Sequence, residues 1–411
     1  MSDQARSPTP PFLVRHETPG DAVLTRLSAD FAAGAAELDR SGTFPFANIA
    51  TLHRHGLISQ VAPVALGGAG ADLASARRII TAVARGEPAT ALILAMTWLQ
   101  HRQFARPGCR WPSALQAEIV HSAITDGALI NTLRVEPELG SPARGGLPAT
   151  LASRHGDRWR LRGRKLYSTG CPGLRWLVVW ARTDEPEPRV GNFLVPRSGP
   201  DTPGIRIVES WNHLGLRASA SHDVILDDVE IPLDHAVDIR APGAWATAAA
   251  SQIDSDGNAD QQTWMIVLLG SLYDAIAQTA RDWLVGFLRH RSPTSLGAPL
   301  ATLPRVQEAL GEIEALLHTN RVLLDHPTGE PGLIKYTVMA NAIRAVERAL
   351  HLTGNHGLSR VNPLERHYRD VLCGRIHTPQ DDTILINAGR AALGPAALPP
   401  ASTGAPESLK P

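Results

Sequence analysis

Cysteine is scarce in this chain: three among 411 residues, Cys109, Cys171 and Cys373, with no pair at CxxC spacing. So sparse and odd a set argues against a disulfide framework or a zinc cluster and fits a reducing compartment. Net charge is absent as well, 40 basic residues standing against 40 acidic. With no basic surplus or stripe, a nucleic-acid partner is not expected. No apolar run reaches the roughly 18–20 residues that a membrane span needs. The opening MSDQARSPTPP lacks the charged-then-apolar order of a secretory signal. The expectation is a cytoplasmic protein without membrane or metal. Apolar residues still make up 43% of the chain, and its length calls for two or three packed domains.

Residues 1–19 are polar and proline-rich, a loose arm. From Asp21, Leu24, Leu27, Phe31, Ala35 and Leu38 recur at helical spacing. FANIATLHRHGL, DLASARRIITAVARG, TALILAMTWLQHRQFA and WPSALQAEIVHSAI continue the helical character, so residues 20–126 read as a helical domain. The period then changes to two: Trp159 and Leu161 alternate with Arg160 and Arg162. RWLVVWART, GNFLVP, GIRIVES and HDVILDDVEIP are further strands, giving a small β-barrel or sandwich domain over 127–238. Long amphipathic helices return over 239–394 and imply a bundle. The Pro/Ser/Gly-rich tail, 395–411, reads as disordered. The fold class is therefore α with a central β domain, in the order helices, strands, bundle.

Five stretches, in this order, resemble the acyl-CoA dehydrogenase superfamily: VAPVALGGAGAD (61–72), LRVEPELGS (133–141), KLYSTG (165–170), HLGLRASASHDVILDDVEIP (213–232) and GNHGLSRVNPLERHYRD (354–370). The resemblance spans about residues 20–394. It implies a flavin, FAD or FMN, between the β domain and the bundle, and a homotetramer or homodimer in which a neighbour helps cover it. LRVEPELGS matches the loop that contacts the ring edge and pyrophosphate, so Leu133, Val135, Gly140 and Ser141 carry over as cofactor contacts; backbone N–H groups suit phosphate oxygens. YSTG ends a strand where the family contacts flavin N5. Tyr167, Ser168 and Thr169 carry over there, and hydroxyls at that edge stabilise charge on the reduced ring. Gly170 and Gly173 let the backbone approach a ligand. RSPTSLGAPL with RVQ resembles the segment that touches the distal flavin across a dimer, assigning Arg291 and Gln307, although Leu296 stands where the family has an aromatic. Gly354, in the matching GNHG turn, carries over as a further cofactor contact.

The junction RDVLCGRIHTPQDD departs from the dehydrogenases. Read locally, Asn362 caps a helix with Pro363 first, and Glu365 pairs with Arg369 one turn on. Thr378 caps the next helix, with Pro379 first and Asp381 third. Dehydrogenases remove an α proton with a glutamate, carried in one branch as Y-E-G-T at this junction; here the positions read HTPQ, and Thr378 cannot be a base. The other branch's glutamate position aligns with Met265, with Asp260 the nearest acid. RDVLCGRIH instead resembles the R-D-x-x-A-G-x-x-H of the two-component flavin monooxygenases, which use reduced flavin from a separate reductase and O2. On that reading His377 is catalytic with Ser168 and Thr169, and deprotonates the substrate or holds a proton near the reacting oxygen; otherwise it is a histidine capping its helix. His101, Arg217 and Thr378 are candidate substrate contacts. His101 is otherwise a partly buried helix histidine, and Arg217 a partner of Asp227–Asp228. The leading function is a monooxygenase acting on a small organic molecule. The alternatives are a dehydrogenase of acyl-CoA or acyl-carrier thioesters with a non-standard base, and a non-catalytic binding subunit.

Overall fold

The computed structural model describes residues 18–106, 108–138, 147–248 and 252–394. The tail 395–411, the first seventeen residues of the amino-terminal arm, and Gly140 and Ser141 lie outside the described residues.

Five helices come first: α1 (Asp21–Ser41), α2 (Phe46–Arg54), α3 (Leu73–Gly86), α4 (Pro88–Gln103) and α5 (Ser113–Thr125). The apolar stripe of α1 buries Leu24, Leu27, Phe31 and Ala35, and the helix stops at Gly42, whose positive φ of 68° turns the chain. Asp72 starts α3 by accepting a bond from Ser75 N at 2.8 Å. Glu87 does the same for α4, accepting from Ala89 N and Thr90 N. α4 is buried on nearly every side, as expected of a helix apolar all round. It is the post against which the other domains lean.

Eight strands follow: β1 (Leu129–Leu133), β2 (Leu151–His155), β3 (Arg158–Lys165), β4 (Leu174–Thr183), β5 (Val190–Pro196), β6 (Ile205–Val208), β7 (Asp223–Pro232) and β8 (Ala236–Arg240). They form one sheet in the order β6-β7-β3-β2-β4-β5-β8, with β1 parallel to the first half of β4. Trp159 and Leu161 of β3 point inward while Arg158 and Arg162 are exposed, as the alternation requires. Trp159 meets Phe193 of β5 edge-on at 5.6 Å. Side chains from strands far apart along the pairing order thus face each other, and the sheet folds over on its own core.

The carboxy-terminal part holds α6 (Pro242–Ala248), α7 (Gln252–His290), α8 (Pro304–Asp325), α9 (Pro331–Thr353), α10 (Asn355–Leu358), α11 (Leu364–Leu372) and α12 (Asp381–Leu393). α7 has 39 residues, about 58 Å at the helical rise, and runs against α3, α4, α9 and α11. No described helix is long and apolar enough to cross a membrane.

One clamp joins all three parts. Arg369 of α11 bonds Asp39 of α1 at 2.6 and 2.8 Å, Glu365 at 2.8 Å and the Leu214 carbonyl at 2.9 Å. Its neighbour Asp370 accepts Leu216 N at 2.7 Å. The loop before Leu216 presses so close to α11 that a Cβ on Gly215 would lie 2.3 Å from the Arg369 carbonyl oxygen. Burial raises Asp370 to about 7, against the opposing bond from Leu216.

Candidate functional site

The candidate site starts where β3 ends. Lys165 is its last residue and is fully buried, as is Glu136 in the loop after β1. Lys165 Nζ donates to Glu136 Oε1 and to the Trp180 carbonyl, each at 2.5 Å. Glu136 also accepts from Ala149 N, Thr150 N and the Thr150 hydroxyl. Burial alone would raise the Glu136 carboxyl, but Lys165 and these donors hold it below the ordinary value; burial drives Lys165 down to about 8. The loop is further tied by Leu166 N donating to the Val135 carbonyl at 2.9 Å. Leu133, at the end of β1, is buried.

Beyond Lys165 the chain changes hand. Tyr167 has φ 53°, unusual for a residue with a side chain, and its ring is 55% exposed. It lies edge-on to Trp211 and His213, which stack on each other at 3.6 Å. Ser168 turns inward, and its buried hydroxyl has no hydrogen-bond partner. Thr169 is half-buried. Asn131 Nδ2 holds its carbonyl at 3.1 Å, and Ser221 donates to its hydroxyl at 3.0 Å. Ser219 in turn bonds Ser221 at 2.8 Å. Since Ser221 gives its proton to Thr169, Ser219 supplies Ser221, and the Thr169 proton is left for a partner outside this chain of hydroxyls. An orphaned buried hydroxyl and a relay ending in a free donor fit a flat, acceptor-rich group such as a flavin edge. The sequence suggests that Gly170 and Gly173 let the backbone approach a ligand, but the space beside them is filled by the protein itself. Cβ atoms there would lie 3.3 Å from Ile93 and 2.3 Å from the Phe44 ring, so both glycines admit the amino-terminal domain instead.

The junction carrying His377 lies between α11 and α12, and its local geometry differs from the expectation. Asn362 does not cap α11; Pro363 occupies the cap and Asn362 bonds the His356 carbonyl. The Glu365–Arg369 pair is present at 2.8 Å. Thr378 does not cap α12 either. It is exposed, the Thr378–Pro379 peptide is cis, and α12 begins at Asp381 with Gln380 extended before it. Buried Lys335 of α9 fixes this stretch, donating to the Pro379 carbonyl at 2.8 Å and Asp381 at 3.1 Å. His377 Nε2 meets the hydroxyl of Tyr273, from the middle of α7, at 2.6 Å, so its bond goes to another helix and not to the carbonyls of its own. Burial, then nearby Lys335, lowers His377 to about 4.

The remaining candidates are dispersed. His101 is wholly buried in α4 beside Phe104, and neither ring nitrogen has a hydrogen bond. Desolvation lowers it to about 4, with a small opposing pull from the Ile58 backbone. Arg217 does not pair with Asp227–Asp228, nor with any other carboxylate among the described residues. It sits on a short turn facing the end of α1, where it donates to the Asp39 and His213 carbonyls, while Arg162 takes Asp227 and Asp228. Arg291, just after α7, and Gln307, in the first turn of α8, are both exposed; Leu300 N bonds the Arg291 carbonyl and Gln307 the Ala301 carbonyl. Gly354 has φ 53° and open space around it. No described hydrogen bond links these three to the end of β3. Sequence reasoning missed Tyr273, Lys335, Asn131 and the Glu136–Lys165 pair. The lone phenol in the apolar run LLGSLYDAIA was a signal for the first.

Helices, a folded sheet with a hydroxyl-rich strand end, and a helical bundle make a three-part framework. Three family models match in series: the acyl-CoA dehydrogenase N-terminal domain over 16–108, the middle domain over 133–229 and the C-terminal domain over 275–392. YdbM of Bacillus subtilis, whose name places it among acyl-CoA dehydrogenases, is 30% identical over 88% of this chain and 93% of its own. The amino sugar nitrososynthase RubN8 of Streptomyces rubradiris is 29% identical over 88% and 86%. Among solved structures, KijD3 in complex with FMN and dTDP-3-amino-2,3,6-trideoxy-4-keto-3-methyl-D-glucose aligns with TM-score 0.72 and 28% identity, covering 93% of this chain and 96% of that one. The chain belongs to the acyl-CoA dehydrogenase family, a family of flavin-dependent oxidoreductases.

Proposed function

We propose that this flavoenzyme is a monooxygenase, taking reduced flavin from a separate reductase and passing one atom of O2 to a small organic substrate. The observation that carries the reading is the junction after α11, where His377 stands bonded to Tyr273 and the nearby Asp381 is taken by Lys335. Thr378 is exposed. Asp260, the nearest acid at the other family position, is tied to Arg102 at 3.1 Å. Glu87 and Asp370 are buried, Glu87 accepting from Ala89 N and Thr90 N and Asp370 from Leu216 N. Abstraction of an α proton from a thioester requires a free carboxylate, and none of these is one.

Bound reduced flavin would supply the two electrons that activate O2; one oxygen atom goes to the substrate and the other leaves as water. Thr169 would offer its hydroxyl proton to the ring edge, held in place by Ser221 and by Asn131 on its carbonyl. The exposed Tyr167 ring would form a wall with Trp211. His377 would hold a proton near the reacting oxygen. Leu133, Val135, Gly140 and Ser141 would line the flavin loop, while Arg291, Gln307 and Gly354 would serve a dimer contact at its distal end. Relatives named as nitrososynthases, one of them of an amino sugar, make an amine nitrogen the first substrate class to test.

The second reading, a thioester dehydrogenase, is favoured by the likeness to YdbM. Anaerobic titration with oxidised and reduced FMN and FAD, followed by mixing with air, separates the two. Oxygen transfer predicts tight binding of reduced flavin and substrate oxidation that needs O2. Stable retention of oxidised flavin, bleached by an acyl thioester and indifferent to air, would refute it.

A further inference from the structure

The Tyr273–His377 contact decides which imidazole nitrogen carries the proton. Tyr273 is fully buried in α7, its ring centroid 5.6 Å from that of His377 and tilted by 50°. Two arrangements satisfy the 2.6 Å contact. Either the phenol donates to Nε2 and the ring proton sits on Nδ1, or Nε2–H donates to the phenol oxygen. In the second, the phenol's own proton needs another acceptor. Tyr273 makes no other hydrogen bond with the described residues, so the second arrangement buries an unpaired O–H at a cost of about 1–3 kcal/mol. The doubly protonated ring is disfavoured as well, because it would stand half-buried near the Lys335 ammonium. Tyr273 itself stays protonated, its pKa raised well above 10 by burial and then by Cys373 and Asp370.

We propose that Tyr273 is a positioning residue that fixes His377 as its Nδ1–H tautomer, so that the imidazole presents a hydrogen-bond donor, not a base, to the bound substrate. Nδ1 bonds to no described residue, and a neutral ring with Nε2 engaged has no lone pair left to take a proton from a substrate. The groups this donor recognises are oxygen acceptors: an oxyanion, a carbonyl, or the oxygen of a hydroxylamine or N-oxide. A substrate that must lose a proton would have to lose it elsewhere. The role in turnover rests on the monooxygenase reading; the tautomer does not.

The test is a long-range proton–nitrogen NMR spectrum of the full chain labelled with 15N-histidine, the His377 signals being identified by their loss in His377→Asn. The expected pattern is a protonated Nδ1 and an unprotonated, phenol-bonded Nε2 from pH 6 to 8, converting towards mixed tautomers in Tyr273→Phe. A protonated Nε2 in the unsubstituted protein, or a pattern indifferent to Tyr273→Phe, overturns the proposal. If Tyr273→Phe does not fold, 3-fluorotyrosine replaces it. A stronger phenol donor must move the His377 Nε2 signal, and an unmoved signal refutes the bond. In turnover, the amide N–H of His377→Asn can replace Nδ1–H whereas His377→Asp can only accept. Asn should therefore exceed Asp by about tenfold or more, the worth of one hydrogen bond to a charged group. The reverse order would make His377 a base. If the tautomer is found but neither substitution affects oxygen-dependent turnover, the monooxygenase role of His377 fails while the tautomer assignment stands.

Discussion

Replacing Lys165 with methionine tests what holds the loop after β1 to the end of β3. The side chains of Lys165 and Glu136 are 0% and 1% exposed, so water cannot substitute for a lost partner. Methionine fills most of the lysine stem but leaves Glu136 ionised, with three donors and no cation. Removing one partner of a buried pair costs about 3–5 kcal/mol. Glu136→Gln alone leaves the buried Lys165 ammonium without its counter-charge and falls in the same range. The double replacement Lys165→Met with Glu136→Gln removes both charges and should recover part of the loss, because no buried charge is left without its partner. Urea unfolding of the four proteins at pH 7 gives the coupling directly. Single variants losing under about 1 kcal/mol, or a double variant losing the sum of the two, would refute the view that the pair acts as one unit.

Other outcomes follow from other elements. His101→Leu should flatten acid destabilisation: the folded pKa of about 4 lies below the free value of 6.5, so its contribution is full above pH 6.5 and lost as pH falls towards 4, roughly 3 kcal/mol in all. An unchanged stability slope between pH 6.5 and 4 would count against this. Thr169→Val should weaken reduced flavin by about tenfold, the value of one directed hydrogen bond, and Ser221→Ala by less; titration of both, with oxidised flavin as control, checks the relay. Gly215→Ala should cost several kcal/mol, on the order of the largest single-site effects, since its Cβ would strike the backbone of α11. A melting temperature within a degree or two of the parent would contradict that contact.

Local patterns were legible because local physics decides them. The period of two around Trp159 and the stripe from Leu24 to Ala35 each report one buried face, and the structure buries those residues. The order of helices, strands and bundle followed, and with it the family. Contacts across the chain were not legible. Tyr273 and His377 are 104 residues apart, and nothing in either neighbourhood names the other. The start of α12 was misplaced because Pro379 looked like a first helical residue, whereas Lys335, from a different helix, holds that stretch extended. Arg217 was weighed against carboxylates near it in sequence, but the carbonyls at the end of α1 and in its own loop are nearer in space. Charge told little there, because the guanidinium was satisfied by backbone.

The two described lysines are both sealed inside, one under the loop after β1 and one beneath the His377 junction. The whole chain has only three, the third being Lys410. The other 37 basic residues are arginines, which keep their charge at any working pH. Amine-directed reagents therefore find almost nothing to modify on the described surface. Coupling to a solid support, fluorescent tagging or chemical cross-linking would not reach either of the described lysines as long as the fold is intact. Labelling at Lys165 or Lys335 would in turn report opening of the β3 loop or of the junction, which makes the timed appearance of each modified peptide a direct clock for the two movements.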